Sequence, residues 1–237
     1  MNDTLFEPAL PEWAKRIAVF DLETTGLILH EARIVTACAV ELDEHGQIVG
    51  RDIEWLADPG IPIPEVAANV HGITTEKAQA EGRPAAEVVG EIVATLRGYL
   101  ERGIPVVAYN APYDFTILYH EAVRYGIEPI AEPMPVIDPL VLDKHFDKYR
   151  SGKRRLENAA EHYGVALTDA HNATADAVAA GRVAQAIFAK FPMPEDVAQL
   201  HNAQIGWSKE IDLDFADFMI KKDPTFKPNL GWPLKGV

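Results

Sequence analysis

Residues 16–26 read RIAVFDLETTG: an apolar run, then two acidic residues, then a turn-forming glycine. The apolar run predicts a buried β-strand over residues 16–22. Successive side chains of a strand point to opposite faces, so Asp21 and Glu23, which lie two apart, share one face. Two carboxylates this close repel each other unless a cation or a shared proton relieves them, and a divalent metal ion suits such a pair. Taken alone, the pair is more typical of solvated acids at the end of a strand.

The segments that follow extend this strand into a sheet. Residues 34–42 and 48–56 favour two further strands, which the turn residues 43–46 join as a hairpin. Several prolines within residues 58–64 predict an irregular loop, because each proline removes a backbone donor. Apolar residues then recur at helical spacing over residues 88–100, and a glycine follows as a stop signal.

The second half of the chain alternates short strands with helices. Strands are predicted over residues 105–109 and 135–137. The predicted helices cover residues 114–125, 156–163 and 172–190. Three strands in succession, followed by alternating strands and helices, predict a mixed α/β sheet in which an antiparallel meander leads into parallel strands.

The charge balance of the chain is acidic: 36 Asp and Glu against 22 Lys and Arg give a net charge of −14. This is the wrong sign for a protein that coats nucleic acid non-specifically, because such binding relies on neutralising phosphates. Contact with a polyanion would need a local basic patch, or divalent metal ions between carboxylates and phosphates. The single cysteine excludes an intramolecular disulfide. No apolar run approaches the roughly 18 residues of a membrane span, and we expect a cytoplasmic protein without a membrane anchor.

Two more groups of polar residues lie at the ends of predicted strands or the starts of helices. Asn110, Tyr113 and Asp114 lie where a strand ends and a helix opens, and an acid there is by itself simply favoured by the helix dipole. His171 precedes the last helix and Asp176 lies one turn inside it, and alone they would be surface residues. Together with the first acidic pair, these acids can hold two metal ions about 4 Å apart, which clamp the attacking and leaving oxygens of a phosphodiester. A histidine with a pKa of roughly 6.5 suits a general base.

The three groups occur in the order of the exonuclease motifs of the DEDDh family: Phe-Asp-Leu-Glu-Thr-Thr-Gly at 20–26, Asn-x-x-Tyr-Asp at 110–114 and His-x-x-x-x-Asp at 171–176. That family includes the epsilon proofreading subunit of bacterial DNA polymerase III, ribonuclease T and oligoribonuclease. Two further stretches, residues 58–74 and 137–139, also resemble the epsilon-type members. The resemblance implies a ribonuclease H-like fold, an α/β structure with a mixed five-stranded sheet flanked by helices.

The resemblance also assigns roles to individual residues. It implies that Asp21, Glu23, Asp114 and Asp176 are the ligands of two Mg²⁺ or Mn²⁺ ions and that His171 is the general base. The histidine five residues before the last aspartate places the chain in the histidine branch of the family. The implied pocket for the terminal nucleotide comprises Thr24, Thr25, Gly26 and Leu27, with His71, Asn110 and Tyr113 as further substrate contacts. For the last three, a structural role in a local turn is an equal alternative.

The expected organisation is an N-terminal extension over residues 1–14, an exonuclease domain over 15–191 and a C-terminal extension over 192–237. Apolar residues near helical spacing from Trp207 to Met219 predict that the C-terminal extension is partly helical. This helix either folds back on the domain or docks a partner. No polymerase domain fits in this length, so a proofreading role would need a separate polymerase chain.

One stretch opposes the overall acidity. It contains Lys144, Lys148, Arg150, Lys153, Arg154 and Arg155, with Phe146 and Tyr149 interleaved. Cations interleaved with aromatic rings are a candidate phosphate-binding patch, and a solvated charged face is an equal alternative.

Three functions remain open at this point. The first is a 3′–5′ exonuclease that releases nucleoside 5′-monophosphates from the 3′ ends of single-stranded DNA, in proofreading or repair. The second is the same chemistry on RNA, as in ribonuclease T or oligoribonuclease. The third is a catalytically silent module that binds nucleic acid or a polymerase, and the intact catalytic positions speak against it. The loop that ends at His71 modestly favours the epsilon-like interpretation.

Overall fold

The computed structural model describes residues 10–167 and 173–237, except for the side chains of Arg51 and Asp52. A short 3-10 helix, Glu12–Lys15, leads into the first strand. The strands are β1 (Arg16–Thr24), β2 (Ile34–Asp43), β3 (Ile48–Asp58), β4 (Arg83–Pro84), β5 (Val106–Val107) and β6 (Val136–Ile137). The helices are α1 (Glu65–His71), α2 (Thr75–Glu81), α3 (Ala85–Glu101), α4 (Ala111–Arg124), α5 (Pro139–Phe146), α6 (Leu156–Tyr163), α7 (Ala173–Lys190) and α8 (Val197–Ile220).

The strands form a single mixed sheet in the order β4-β3-β2-β1-β5-β6. β1, β2 and β3 pair in antiparallel fashion, and β5 and β6 add to β1 in parallel. The predicted antiparallel meander that leads into parallel strands, with helices on both faces, is therefore confirmed. The sheet has one strand more than the five expected, because β4 is a two-residue edge strand parallel to β3. So short a strand leaves no periodic signal in a sequence.

Strand β1 is buried on both faces, which explains its nearly continuous apolar sequence. Phe20 and its alternate neighbours pack into a core layer shared with α3 and α4. Ile17 and Val19 pack into a second layer shared with α7. Asp21 and Glu23 continue the odd-numbered face of the strand, so the backbone directs both carboxylates to the side on which α7 packs.

Three helices were not predicted, and α4 begins earlier than expected. α1 buries none of its residues and α2 buries only Ala78, so neither shows an apolar stripe. α5 begins at Pro139 after the N-cap Asp138, and an acid directly before a proline is a start signal in the sequence for this helix. α4 begins at Ala111 and not at Asp114, because a proline in the first turn is compatible with a helix.

Helix α8 covers the outer edge of the sheet. The Gln204 side chain accepts a hydrogen bond from the Asp138 amide at 2.7 Å and donates one to the Val136 carbonyl at 3.1 Å. His201 Nδ1 accepts from the Val136 amide at 3.1 Å. These side chains satisfy the backbone groups that an edge strand would otherwise leave unpaired. The division of the chain into residues 15–191 and 192–237 stays a prediction.

None of the helices in the described ranges is long and apolar enough to cross a membrane.

Close packing of α7 on the sheet predicts the effect of a methyl group at Gly181. A Cβ atom there would lie 2.4 Å from Val19 Cγ1 and 2.6 Å from Leu42 Cδ1. We expect Gly181→Ala to lower the free energy of unfolding by about 1–3 kcal/mol, because the added carbon overpacks this contact. The matched control is Gly98→Ala in α3, where a Cβ meets no atom within 4 Å. That change should be neutral or stabilising by up to about 1 kcal/mol in urea unfolding, and an equal loss in both variants would contradict the packing argument.

Candidate active site

Three elements of the fold bring four acidic side chains together. Asp21 and Glu23 lie on the face of β1 towards α7, and Asp176 lies in the first turn of α7. Asp114 lies in the first turn of α4, which follows β5, the parallel neighbour of β1. The predicted grouping of these acids therefore follows from the topology, since both helices begin beside the end of β1.

A hydrogen bond fixes α4 against β1 within this group. The backbone amide of Leu22 donates to Asp114 Oδ1 at 3.0 Å, between the two acids of the strand. Asp114 is only 2% exposed, although it is a charged residue. Its carboxylate is thus held beside the strand by a main-chain donor, and its position does not depend on a flexible side-chain contact.

The proximity of the acids changes their ionisation. Burial raises the pKa of Asp21 well above its usual range, and the charges of Asp114 and Glu23 raise it further, followed by that of Asp176. Burial, and then the charge of Asp176, raises the pKa of Glu23 to about 7. Burial also raises the pKa of Asp114, even though the bond from Leu22 acts in the opposite direction. The group therefore holds more negative charge than its surroundings can accommodate.

No cationic side chain of the described residues forms an ion pair with Asp21, Glu23 or Asp114. In the same part of the chain, no three Asp, Glu, His or Cys side chains are already arranged as a metal-coordination set. The chemistry of the donors nevertheless fits a hard divalent cation, because Mg²⁺ and Mn²⁺ prefer carboxylate oxygens.

The predicted general base, His171, lies outside the described residues, as do its neighbours from 168 to 172. Helix α7 is described from Ala173, so the structure places Asp176 but provides no distance from it to the histidine. The assignment of His171 as a base stays a prediction.

The residues expected to form the nucleotide pocket make a loop directly after β1. The hydroxyls of Thr24 and Tyr113 share a hydrogen bond of 2.5 Å, and both lie within bonding distance of the Gly26 carbonyl. Thr25 is buried and bonds to Arg33 through both its amide and its hydroxyl, which closes the loop. These contacts leave Leu27, which is 83% exposed, at the outer side of the loop.

Asn110 and Asp138 shape the turn that leads into α4. Asn110 has a left-handed backbone with φ of 65°, a conformation that asparagine tolerates better than most residues. Asp138 is buried and accepts hydrogen bonds from the amides of Asn110, Ala111 and Leu140 at 2.9–3.0 Å. Burial raises the pKa of Asp138 to about 6, while these donors act in the opposite direction. Asp138 thus holds the start of the helix that carries Asp114. The sequence indicates only the second role of Asp138, the N-cap of α5, through an acid directly before a helix-starting proline.

His71 lies at the end of α1, close to the loop after β1. Its Nδ1 accepts a hydrogen bond from the Ile73 amide at 3.2 Å, which supports the structural alternative. Its Nε2 is buried and has no hydrogen-bond partner among the described residues. Burial lowers the pKa of His71, while the Thr24 backbone opposes that change. The ring is therefore fixed by the Ile73 amide at Nδ1, and the Thr24 backbone acts on it as well.

The basic stretch exposes fewer cations than its sequence suggests. Arg150 and Arg154 both pair with the buried Asp143, at 2.7 and 2.8 Å. Arg154 also donates to four backbone carbonyls, those of Asp143, Asp147, Lys148 and Arg150. These two guanidinium groups hold the 143–154 segment together, so the exposed cations of the stretch are reduced to Lys148, Lys153 and Arg155.

Comparison with known proteins agrees with the geometry. A family model described as Exonuclease matches residues 18–184. The chain belongs to this exonuclease family. Its domain is a DEDD-type 3′–5′ exonuclease domain, as the three motifs predicted, and the matched range includes all four acids and His171.

Two relatives of this exonuclease are polymerase-associated proteins by name. This chain is 31% identical to a DNA polymerase III PolC-type of Streptococcus suis, over 78% of this chain and 11% of that protein. It is 30% identical to a DNA polymerase III subunit epsilon-like protein of Rhodobacter capsulatus, over 68% of this chain and 22% of that protein. The chain thus spans between a tenth and a quarter of the length of these curated relatives.

Among solved structures, E. coli Exonuclease I in complex with a dT13 oligonucleotide has a similar fold. Its TM-score is 0.61 at 20% identity, over 72% of this chain and 40% of that chain. At this identity the similarity concerns the fold, and it agrees with the mixed sheet described above.

The role of Asp138 in this exonuclease can be tested by Asp138→Asn, which keeps the size of the side chain. We expect a loss of about 1–3 kcal/mol in the free energy of unfolding, because an amide group would face main-chain donors that are buried. The matched control is Asp196→Asn at the N-cap of α8, where the side chain accepts one bond, from the Ala198 amide at 2.8 Å. Asparagine and aspartate are about equal N-caps, so urea unfolding of this control should hardly change.

Proposed function

We propose that this exonuclease removes nucleoside 5′-monophosphates from the 3′ end of single-stranded DNA by two-metal hydrolysis. Asp21, Glu23, Asp114 and Asp176 are its metal ligands and His171 is its general base. Because the relatives that it matches are DNA polymerase III proteins by name, proofreading beside a polymerase chain, or a related repair role, is the setting we favour.

The observation that carries the proposal is the juxtaposition of Asp21, Glu23 and Asp114 without a paired cation in the described residues. Burying ionised groups costs several kcal/mol each unless a partner compensates them. A scaffold that buries carboxylates together and supplies no basic side chain to them supports a site for bound cations. The geometry and the charge of these carboxylates thus support a cation site independently of the family match.

The fit of the site to Mg²⁺ or Mn²⁺ rests on its all-carboxylate donor set. When bound, two such ions stabilise the charge that develops on the attacking and leaving oxygens of a phosphodiester. The chain's own contribution is the rigid placement of the ligands: β1 fixes the first pair, the Leu22 amide fixes Asp114, and the first turn of α7 presents Asp176.

The remaining roles fall to residues around the acids. His171 takes the proton of the attacking water, a role for which the imidazole side chain is suited. The loop at Thr24, Gly26 and Leu27 orients the terminal nucleotide, with the exposed leucine against a base. Tyr113 supports this loop through its bond to Thr24, and burial raises its pKa to about 12, so it acts as a neutral hydroxyl.

Polymer degradation tests the reaction and the substrate directly. Single-stranded DNA and RNA oligomers of matched sequence, labelled at the 5′ end, are incubated with Mg²⁺, with Mn²⁺ and with EDTA. We expect a ladder that shortens from the 3′ end on DNA, absent with EDTA. Faster degradation of RNA would show that the substrate class is RNA and not DNA. Binding without any shortening would overturn the proposal in favour of a silent binding module.

The assigned roles predict different failures for two variants. Asp21→Asn should lose nearly all activity together with metal binding, because it removes a ligand at the centre of the site. His171→Ala should lower the rate by roughly 10²–10⁴-fold and leave Mn²⁺ binding in place. Calorimetric Mn²⁺ titration beside the ladder assay separates the two, with Asp217→Asn on the exposed face of α8 as a control. Equal loss of metal binding in the first two variants would show that His171 is a ligand.

The raised pKa of Glu23 predicts how metal affinity changes with pH. With a pKa of about 7, its carboxyl is protonated below neutral pH in the metal-free protein. A cation binds the ionised form, so Mn²⁺ affinity should be full above about pH 7 and fall below it, by up to about tenfold per pH unit for each proton displaced. Titrations in two buffers of different ionisation enthalpy should show proton release, and Glu23→Gln should make the pH dependence shallower. A pH-independent affinity would contradict the argument.

A further inference from the structure

A groove lies beside the loop proposed to hold the terminal nucleotide. Its volume is 580 Å³, and one side is formed by the loop from Leu27 to His30. Asn110, Tyr113 and His120 of the α4 region also line it. The groove is therefore continuous with the residues proposed to hold the terminal nucleotide, since Leu27 and Tyr113 belong to both.

The end of the chain also lines the groove. Asn229, Lys235 and Gly236 line it, although they lie more than forty residues beyond the part that matches the exonuclease family. This C-terminal wall, residues 229–236, thus belongs to this chain's own extension and not to the shared domain.

The C-terminal wall is anchored in place. Trp232 is buried in the core, and its indole Nε1 lies 3.4 Å from Asp138 Oδ2. The Lys235 amide donates to the Thr116 hydroxyl at 3.0 Å, two residues after Asp114 in α4. Lys235 Nζ is paired with Asp212 of α8 at 2.8 Å. These contacts attach the wall to the same helix that carries a proposed metal ligand.

The lining of the groove differs in charge from the rest of the surface. No aspartate or glutamate lines it among the described residues, although the chain carries a net charge of −14. Four other surface pockets in that part of the chain each include at least one acid. A groove without acidic side chains is the least repulsive path for a polyanion on an acidic protein.

We propose that the nucleotides immediately upstream of the 3′ end bind in this groove, between the 27–30 loop and the C-terminal wall. The inference rests on the proposed function and adds a substrate-binding element outside the family domain. Leu27 and Ile28, which are 83% and 54% exposed, offer apolar surface to bases. The side-chain amide of Asn229 and the imidazoles of His30 and His120 offer uncharged or weakly basic groups to the backbone.

Charge changes at Asn229 test the proposal, because this residue is exposed and its replacement leaves the anchors of the wall intact. Two substrates are compared: an oligothymidylate, which would fill the groove, and thymidine 5′-(4-nitrophenyl phosphate), which has a single nucleoside. Asn229→Glu should raise the KM for the oligomer about fivefold to tenfold, and this effect should weaken at high salt. Asn229→Lys should lower that KM, and both variants should affect the small ester far less than the oligomer.

Asn202→Glu is the matched control, since it adds the same charge at an exposed position of α8 outside the groove lining. It should leave the KM for the oligomer unchanged. An equal effect of Asn202→Glu and Asn229→Glu, no effect at Asn229, or equal losses on both substrates would each overturn the groove while the proposed function stands. A wild-type protein that cleaves neither substrate would overturn the proposed function, and this inference with it.

Discussion

The structure depends on placing several carboxylates side by side, with Asp114 buried and Asp21 and Glu23 half-buried beside it. The bond from the Leu22 amide to Asp114 is central to this, because it joins the first turn of α4 to the middle of the acidic pair on β1. Two apolar layers on either side of β1 supply the free energy that holds the strand rigid against the repulsion. A strand with water on one face would let these side chains move apart.

Buried acids elsewhere in the protein show how unusual the group is. Asp143 is compensated by Arg150, Arg154 and the Tyr163 hydroxyl, which lower its pKa although burial opposes them. Asp138 accepts hydrogen bonds from three backbone amides and from the Trp232 indole. At Asp21 the described residues around the carboxylate include further acids, and burial together with their charges raises its pKa. The fold thus supplies its own hydrogen-bond donors to the buried carboxylates of Asp143 and Asp138. At Asp21 it leaves the compensation of the negative charge to a cation that the proposed reaction requires.

Strands and helices with a regular pattern of apolar residues were predictable from the sequence, and those without such a pattern were not. Strands β1 to β3 and helices α3, α6 and α7 were located within a few residues, because each carries an apolar stripe or a continuous apolar run. The helices α1 and α2 bury almost nothing, and β4 has two residues, so tertiary contacts create them and composition does not reveal them. In the basic stretch the sequence instead predicted too much: it suggested that Arg150 and Arg154 are available to bind phosphate. Only the fold shows that both are paired with Asp143.

The sequence by itself determined the reaction class and the succession of strands and helices along the chain, because apolar periodicity and the residue types of three motifs are local properties. It also determined which acids and which histidine to consider. Only the tertiary structure decided that Asp138 holds the start of α4, that Gln204 and His201 cover the edge of β6, and that residues 229–236 lie beside the candidate site. Each of these contacts joins residues from 27 to more than 100 positions apart, and so depends on how the whole chain packs.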